Sequence, residues 1–225
     1  MTEAWWAHLR SARPALTTLL PADETTKLRD YRQAADRSRH LVGWALARAV
    51  LGDALQCAPP AVPIHRFCTH CRQPGHGKPQ VKGDGPHFSI SHAGDYVVVA
   101  VTDDGPVGVD VELITRGDDK IDRRVRAHGE RSAGGADLVR RWVRKEAVLK
   151  ATGHGFAVPM TRFAVSPPDT PACLLTWPDD PTLPERLGLN DLPCPSPYAA
   201  AVAVIGPRRG PVLCHDGSAR LAALN

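Results

Sequence analysis

Aromatic side chains make up only 5% of this 225-residue chain, too few to interleave with its basic residues as a base-stacking surface requires. Neither a zinc-finger nor a ribonucleoprotein signature is present, so no nucleic-acid partner is expected. Long apolar runs are missing too. The longest, such as "YVVVAV" at Tyr96–Val101, fall far short of the ~18 residues of a membrane span. The opening "MTEAWWAHLR" lacks the basic start and apolar core of a secretory leader. A cytoplasmic protein without membrane contacts is the expectation, and its six cysteines, Cys57, Cys68, Cys71, Cys173, Cys194 and Cys214, are expected to be reduced. A second C-x-x-C is absent as well. Cys68 and Cys71 stand beside His65, His70 and His76, but one C-x-x-C without regular ligand spacing makes zinc the weaker reading.

What the chain does have is clustered positive charge. The formal charge is only +4, yet Arg123, Arg124, Arg126, Arg131, Arg140, Arg141, Arg144, Lys145 and Lys150 fall close together. Such a patch suits an anionic partner, either a phosphorylated metabolite or an acidic protein. Within it, "RRWVRKEAVLKATGHG" (Arg140–Gly155) places Glu146 among five basic residues. Val139, Trp142, Val143, Ala147, Val148, Leu149 and Ala151 recur at three- and four-residue steps, which predicts an amphipathic helix stopped at Gly153. On such a helix Glu146 and Lys150 are spaced for a surface ion pair of roughly 0.2–0.5 kcal/mol.

At this length the chain fits one mid-sized domain or two small ones. A helix is predicted over Asp36–Gly52, with Asp36 as N-cap and Gly52 as stop. The Pro- and Gly-rich stretch 59–86 reads mostly as loop, with a short strand near Ile64–Phe67. Strands are predicted at "HFSIS", "YVVVAV", "VGVDVEL", "RFAVS", "CLLTW" and "YAAAVAVI", and a poorly ordered tail from Gly206. Trp44, Ala49, Val50 and Leu51 match Trp142, Ala147, Val148 and Leu149 at a constant offset, with Arg48 where the second copy has Glu146. This echo predicts an α+β fold of two similar halves, residues 1–104 and 105–225, each a helix on a small, mainly antiparallel sheet.

Period-two alternation in "GVDVEL" sends Val109, Val111 and Leu113 to one face and Asp110 and Glu112 to the other. Two adjacent carboxylates repel unless a hard cation lies between them, and a third from Glu146 would complete an oxygen-rich site of the kind Mg²⁺ prefers. In "FSISH", Phe88 and Ile90 read as buried, and Ser89, Ser91 and His92 as presented. "HGKP" offers Lys78 as a fixed charge in a loop; it is no Walker A motif, because Ser or Thr does not follow the lysine.

Taken in order, "GKP", "FSISH", "GVDVE" and "WVRKEAVLKATGHG" resemble the 4′-phosphopantetheinyl transferases of the larger, pseudodimeric type related to the surfactin synthetase activator. The resemblance runs from about Lys27 to about Phe163. It implies two α+β halves with the active site at their junction, coenzyme A as donor and a serine of an acyl, peptidyl or polyketide carrier domain as acceptor; a monomer is the expectation. By motif, Asp110, Glu112 and Glu146 would bind Mg²⁺, with Mn²⁺ as a substitute. Lys27, Arg39, Lys78, Ser91, His92, Asp110 and Lys150 would hold coenzyme A, and Glu146 and Lys150 would act in the chemistry. Arg141 and Arg144 would dock an acidic carrier helix from an outward face. The chain departs from the family at "RAHGERS", around Glu130. A Mg²⁺-dependent phosphohydrolase or nuclease and a non-catalytic coenzyme A-binding module are the competing classes.

Overall fold

The structure, a computed structural model, describes residues 1–68, 71–114, 119–206 and 210–224. In chain order its elements are strand β1 (Thr2–His8), helices α1 (Ala22–Lys27) and α2 (Ala34–Leu55), and strands β2 (Ile64–Phe67), β3 (Pro74–Val81), β4 (His87–Ala93), β5 (Tyr96–Thr102) and β6 (Val107–Leu113). Helices α3 (Asp119–Val125) and α4 (Gly135–Thr152) follow, then β7 (Ala164–Val165), β8 (Leu174–Thr176), α5 (Leu183–Arg186), β9 (Leu187–Asp191), β10 (Tyr198–Ile205), β11 (Val212–Asp216) and α6 (Gly217–Ala222). One sheet has the order β11-β1-β5-β4 and another β6-β10-β9, while β2-β3 and β7-β8 form separate pairs. None of the described helices is long and apolar enough to cross a membrane.

Alternation along the strands sets the layers. Val97, Val99 and Val101 of β5 enter one core with Leu46 and Leu51 of α2. Their neighbours Val98 and Ala100 face the other way, into a core shared with Val107, Val109 and Val111 of β6 and Val202 of β10. Ala199, Ala201 and Ala203 of β10 then meet Val143, Ala147 and Val148 of α4. The stack is helix, sheet, sheet, helix, and each fully buried valine in it contributes about 1.5–3 kcal/mol. The expected α+β architecture, with a helix on each small sheet, is what the chain adopts. Gly108 sets the closeness of α4 to β6, because a Cβ there would collide with the backbone of Ala147 and Ala151.

Several expectations need correction. Helix α2 is longer than Asp36–Gly52. It continues through Gly52, whose missing Cβ would lie 2.8 Å from Cys57 O, and is capped by Gln56 in the left-handed region at φ 54°. Asp36 lies inside the helix and binds Arg39 Nη1 at 2.6 Å. Lys78 belongs to strand β3, not to a loop. Residues 207–209 and 225 lie outside the described residues, but the rest of the tail is structured: β11 pairs in parallel with β1, from Thr2–Val212 to Trp6–Asp216, and Leu221 of α6 is fully buried in the α2 core. Thus the last segment returns to the first sheet. Strands β1 and β9 carry no clear strand signal in the sequence, β1 because adjacent tryptophans in "TEAWWAH" break the alternation that marks a strand.

Candidate active site between the halves

Strands β4 and β6 lie against each other at the junction, and side chains join them. Val109 N–H donates to Ser89 Oγ at 3.1 Å, Val111 N–H to Ser91 Oγ at 3.4 Å, and the Ser91 hydroxyl to Asp110 Oδ1 at 2.8 Å. Both faces of β4 are therefore covered. Ser89 and Ser91 are buried, contrary to the expectation of an open polar face, because they turn toward the second half while Phe88 packs beneath α2.

Asp110 is only 3% exposed, and its neighbour within the same half is Lys150 of α4, whose Nζ donates to Asp110 Oδ1 at 2.6 Å, Val109 O at 3.0 Å and, across the junction, Ser91 Oγ at 3.1 Å. The Lys150 ammonium thus ties α4 to β6 and to β4 of the first half. Burial raises the Asp110 pKa against the pull of Lys150. Burial first, then Asp110 and Glu146, push Glu112 up to about 7, and burial and Asp110 raise Glu146. Asp110 Oδ2 is buried without a hydrogen-bond partner. An orphaned carboxylate oxygen amid mutually repelling acids fits a hard divalent cation. These three carboxylates do not close up by themselves; among the described residues, the group whose donor atoms all lie within 4.8 Å of one another is Cys68, Cys71 and His76.

Beside the acids lies a cavity of about 590 Å³ whose wall includes Arg39, Lys78, His92 and Lys150. A second hollow of about 290 Å³ contains Asp110, Glu112, Glu146 and Trp142, and shares Ile90, His92 and Lys150 with the first. Arg39 is aimed by Nε–H donation to Gly94 O at 2.8 Å. Lys78 Nζ reaches the other half, at Val107 O, 2.8 Å, and burial lowers its pKa to about 8. Burial and Arg39 lower that of His92. Lys27 is exposed at the end of α1 and does not line the cavity.

Two family models cover this architecture in succession: "4′-phosphopantetheinyl transferase, N-terminal" over residues 4–104 and "4′-phosphopantetheinyl transferase superfamily" over residues 106–203. The chain belongs to the 4′-phosphopantetheinyl transferase superfamily. Among its relatives, a phosphopantetheinyl transferase of Thraustochytrium sp. is 30% identical over 190 residues, covering 71% of this chain and 64% of that one. A 4′-phosphopantetheinyl transferase of Bacillus pumilus is 31% identical across 66% of this chain and 64% of its own length. One from Bacillus subtilis is 28% identical, covering 70% and 71% respectively. The chain spans about two thirds, strictly 64%, of the first two relatives.

In this superfamily member Arg141, Arg144 and Lys145 of α4 hold the fold rather than face outward, which overturns the docking role expected for Arg141 and Arg144. Arg144 is fully buried, binding Asp191 through Nη2 at 2.6 Å and Pro167 O through Nη1 at 2.8 Å. Arg141, 3% exposed, meets Asp122 at 3.2 Å and Arg131 O at 2.7 Å. Lys145 binds Glu130 at 2.8 Å and the carbonyls of Val125, Met160 and Phe163; burial lowers its pKa to about 8. Glu130 also accepts from Ala127 N–H and Val165 N–H, so "RAHGERS" supplies a buried structural carboxylate.

The cavity also recruits residues that the sequence did not single out for it, among them His40, Arg66 and His154. Arg66 stacks over Trp44, 5.3 Å from the ring centre. His40 Nδ1 pairs with Tyr31 Oη at 2.8 Å. Burial drives the His40 pKa down to about 4; Arg66, His92 and Lys27 assist and Glu24 opposes. A folded pKa below the ordinary 6.5 means stability that is whole above pH 6.5 and lost as pH falls toward 4. The expected loss from this group is about 1–3 kcal/mol. Urea titrations at pH 7.5 and 4.5 check it: the fall in stability should be smaller in His40→Gln than in the parent, and an equal fall refutes the assignment.

Proposed function

We propose that the chain transfers the 4′-phosphopantetheine group of coenzyme A to a serine of an apo acyl, peptidyl or polyketide carrier domain and releases 3′,5′-ADP. The observation that carries this reading is the continuity of the two hollows through His92 and Lys150, which sets a basic, coenzyme-sized cavity beside three carboxylates. A phosphohydrolase needs a positioned water, not such an anchorage. The free thiols of Cys57, Cys71, Cys173, Cys194 and Cys214 suit the reducing cytoplasm, where we place the enzyme as a monomer, its halves dividing near residues 104 and 105.

Arg39, Lys78 and His92 hold the phosphates of coenzyme A, and Ser91 keeps Asp110 and Lys150 in place. The carrier serine oxygen attacks the β-phosphorus, and the bond from that phosphorus to the bridging oxygen breaks. Glu146, made more basic by burial and by Asp110, accepts the serine proton. Lys150 donates to the leaving oxygen of 3′,5′-ADP. Asp110, Glu112 and Glu146 would hold Mg²⁺ or Mn²⁺, which supplies neutralisation of pyrophosphate charge.

Incubation with coenzyme A and a panel of apo fatty-acid, polyketide and peptide carrier domains tests the proposal. One phosphopantetheine mass added per carrier supports it; nucleotide or phosphate release with no carrier adduct would sink it. Lys78→Ala should weaken coenzyme A binding about tenfold, equal to about 1.4 kcal/mol, because it removes a cation present before the reaction. Calorimetric titration checks this, and unchanged affinity would remove Lys78 from the anion site.

A further inference from the structure

We propose that Cys68, Cys71 and His76 form a zinc site that staples the tip of the β2–β3 hairpin. Their ligand atoms all lie within 4.8 Å of one another, and Cys71 Sγ is 3.1 Å from His76 Nε2. Around a tetrahedral zinc ion, with Zn–S about 2.3 Å and Zn–N about 2.0 Å, such atoms stand roughly 3.5–3.8 Å apart. Side-chain rotations close the difference. The two thiols with one imidazole are the donor set that selects zinc over the oxygen-loving Mg²⁺.

The backbone is shaped for this. Arg72, immediately after the second cysteine, adopts the left-handed φ of 56°. Its N–H donates to Cys68 O at 2.8 Å, and Cys68 N–H donates to Gln73 O at 3.0 Å, so the loop folds the second thiol back over the first. On the facing strand, Gly77 at φ 92° follows His76; a Cβ there would lie 2.7 Å from Phe67 O and 2.8 Å from Cys68 Cα. Only glycine brings β3 close enough to set His76 against the thiols. The pairing of β2 and β3 shifts register between Arg66 and Phe67, and beyond that irregularity the hairpin tip has little apolar packing, with Phe67 38% exposed. Metal ligation supplies the missing cohesion. Binding converts both thiols to thiolates and releases their two protons to water, so Zn²⁺, two thiolates and neutral imidazole sum to zero charge. Three protein ligands leave the fourth position to water.

The staple would stiffen the strand that carries Lys78, but its metal content can be read without reference to transfer activity. Full-length protein kept reduced and reconstituted with zinc should hold about one tightly bound ion per chain. Replacing it with Co²⁺ should produce the thiolate-to-cobalt charge-transfer band and the intense visible bands of a tetrahedral site. Cys71→Ser, at an exposed position, and His76→Ala should each weaken zinc affinity by at least about 100-fold, since even supporting partners of metal ligands are worth 10–100-fold. Tryptic cleavage after Arg72 should be at least about tenfold slower with zinc than without it. Zinc bound equally by parent and variants, a cobalt spectrum without thiolate bands, or cleavage indifferent to zinc would each overturn the proposal. So would a purified chain that carries a Cys68–Cys71 disulfide and takes up no zinc after reduction.

Discussion

Asp110→Ala is expected to cut single-turnover transfer by about 1,000-fold, some 4 kcal/mol of barrier, while leaving the melting temperature within a few degrees of the parent. Asp110 is the one carboxylate that unites the site. It anchors Lys150 at 2.6 Å, accepts from Ser91 and keeps a second buried oxygen unspent. Its burial already costs energy, seen in its raised pKa, and Lys150 would retain Val109 O and Ser91 Oγ. The fold therefore has little to lose. Asp110→Asn sharpens the test because it preserves shape and one acceptor while deleting charge, and it should be nearly as inactive. Near-parental turnover of either variant at saturating Mg²⁺ would remove Asp110 from the metal site.

Lys145→Met should do the reverse, with an expected stability loss of about 3–5 kcal/mol and a melting temperature lower by about 10 °C. The ammonium is wholly buried and satisfies Glu130 together with three carbonyls from two separate segments, Val125 and the Met160–Phe163 turn. Removing it leaves a carboxylate that is itself 6% exposed with Arg141 at 3.8 Å as its remaining cation. Adding Glu130→Gln should return part of the loss, since the two residues act as one unit. Denaturant unfolding of the four-member cycle measures the coupling. A loss below about 1 kcal/mol for Lys145→Met would show that the pair only fills space.

Why the acidic half of the site was legible and the basic helix was not follows from the range of the interactions. Asp110 and Glu112 were placed by strand alternation, and the α4 boundary by Gly153, whose φ of 74° suits the glycine stop; both are local signals. Arg141, Arg144 and Lys145 answer to Asp122, Asp191 and Glu130, partners scattered through the chain on both sides of α4. Charge alone assigned them outward. Their spacing with Val148 at three- and four-residue steps was the available clue to an inward face, and long aliphatic stems make such burial feasible.

The same limit explains other misses. A single C-x-x-C carries no record of the backbone turn at Arg72 or of Gly77 bringing His76 across the hairpin. Strand β9 becomes recognisable only as the neighbour of β10, paired from Ala201–Asp191 to Ile205–Leu187. By contrast, the offset echo between Trp44 and Trp142 foretold the two helices because packing a helix on a sheet imposes the same apolar spacing each time. At the echoed position Arg48 is 3% exposed and bound to Glu24 at 2.7 Å, whereas Glu146 borders the hollow.

Because β11 rejoins β1, the polypeptide crosses between the halves twice, once at residues 103–106 and again after β10. Mechanically this is a clasp and not a hinge. A protease nick in the first crossing leaves the second intact, along with the interleaved valine layer that keys the sheets together, so the nicked molecule has no free tether about which to swing. The shared wall of the two hollows is therefore expected to stay in registry even when the backbone is no longer continuous.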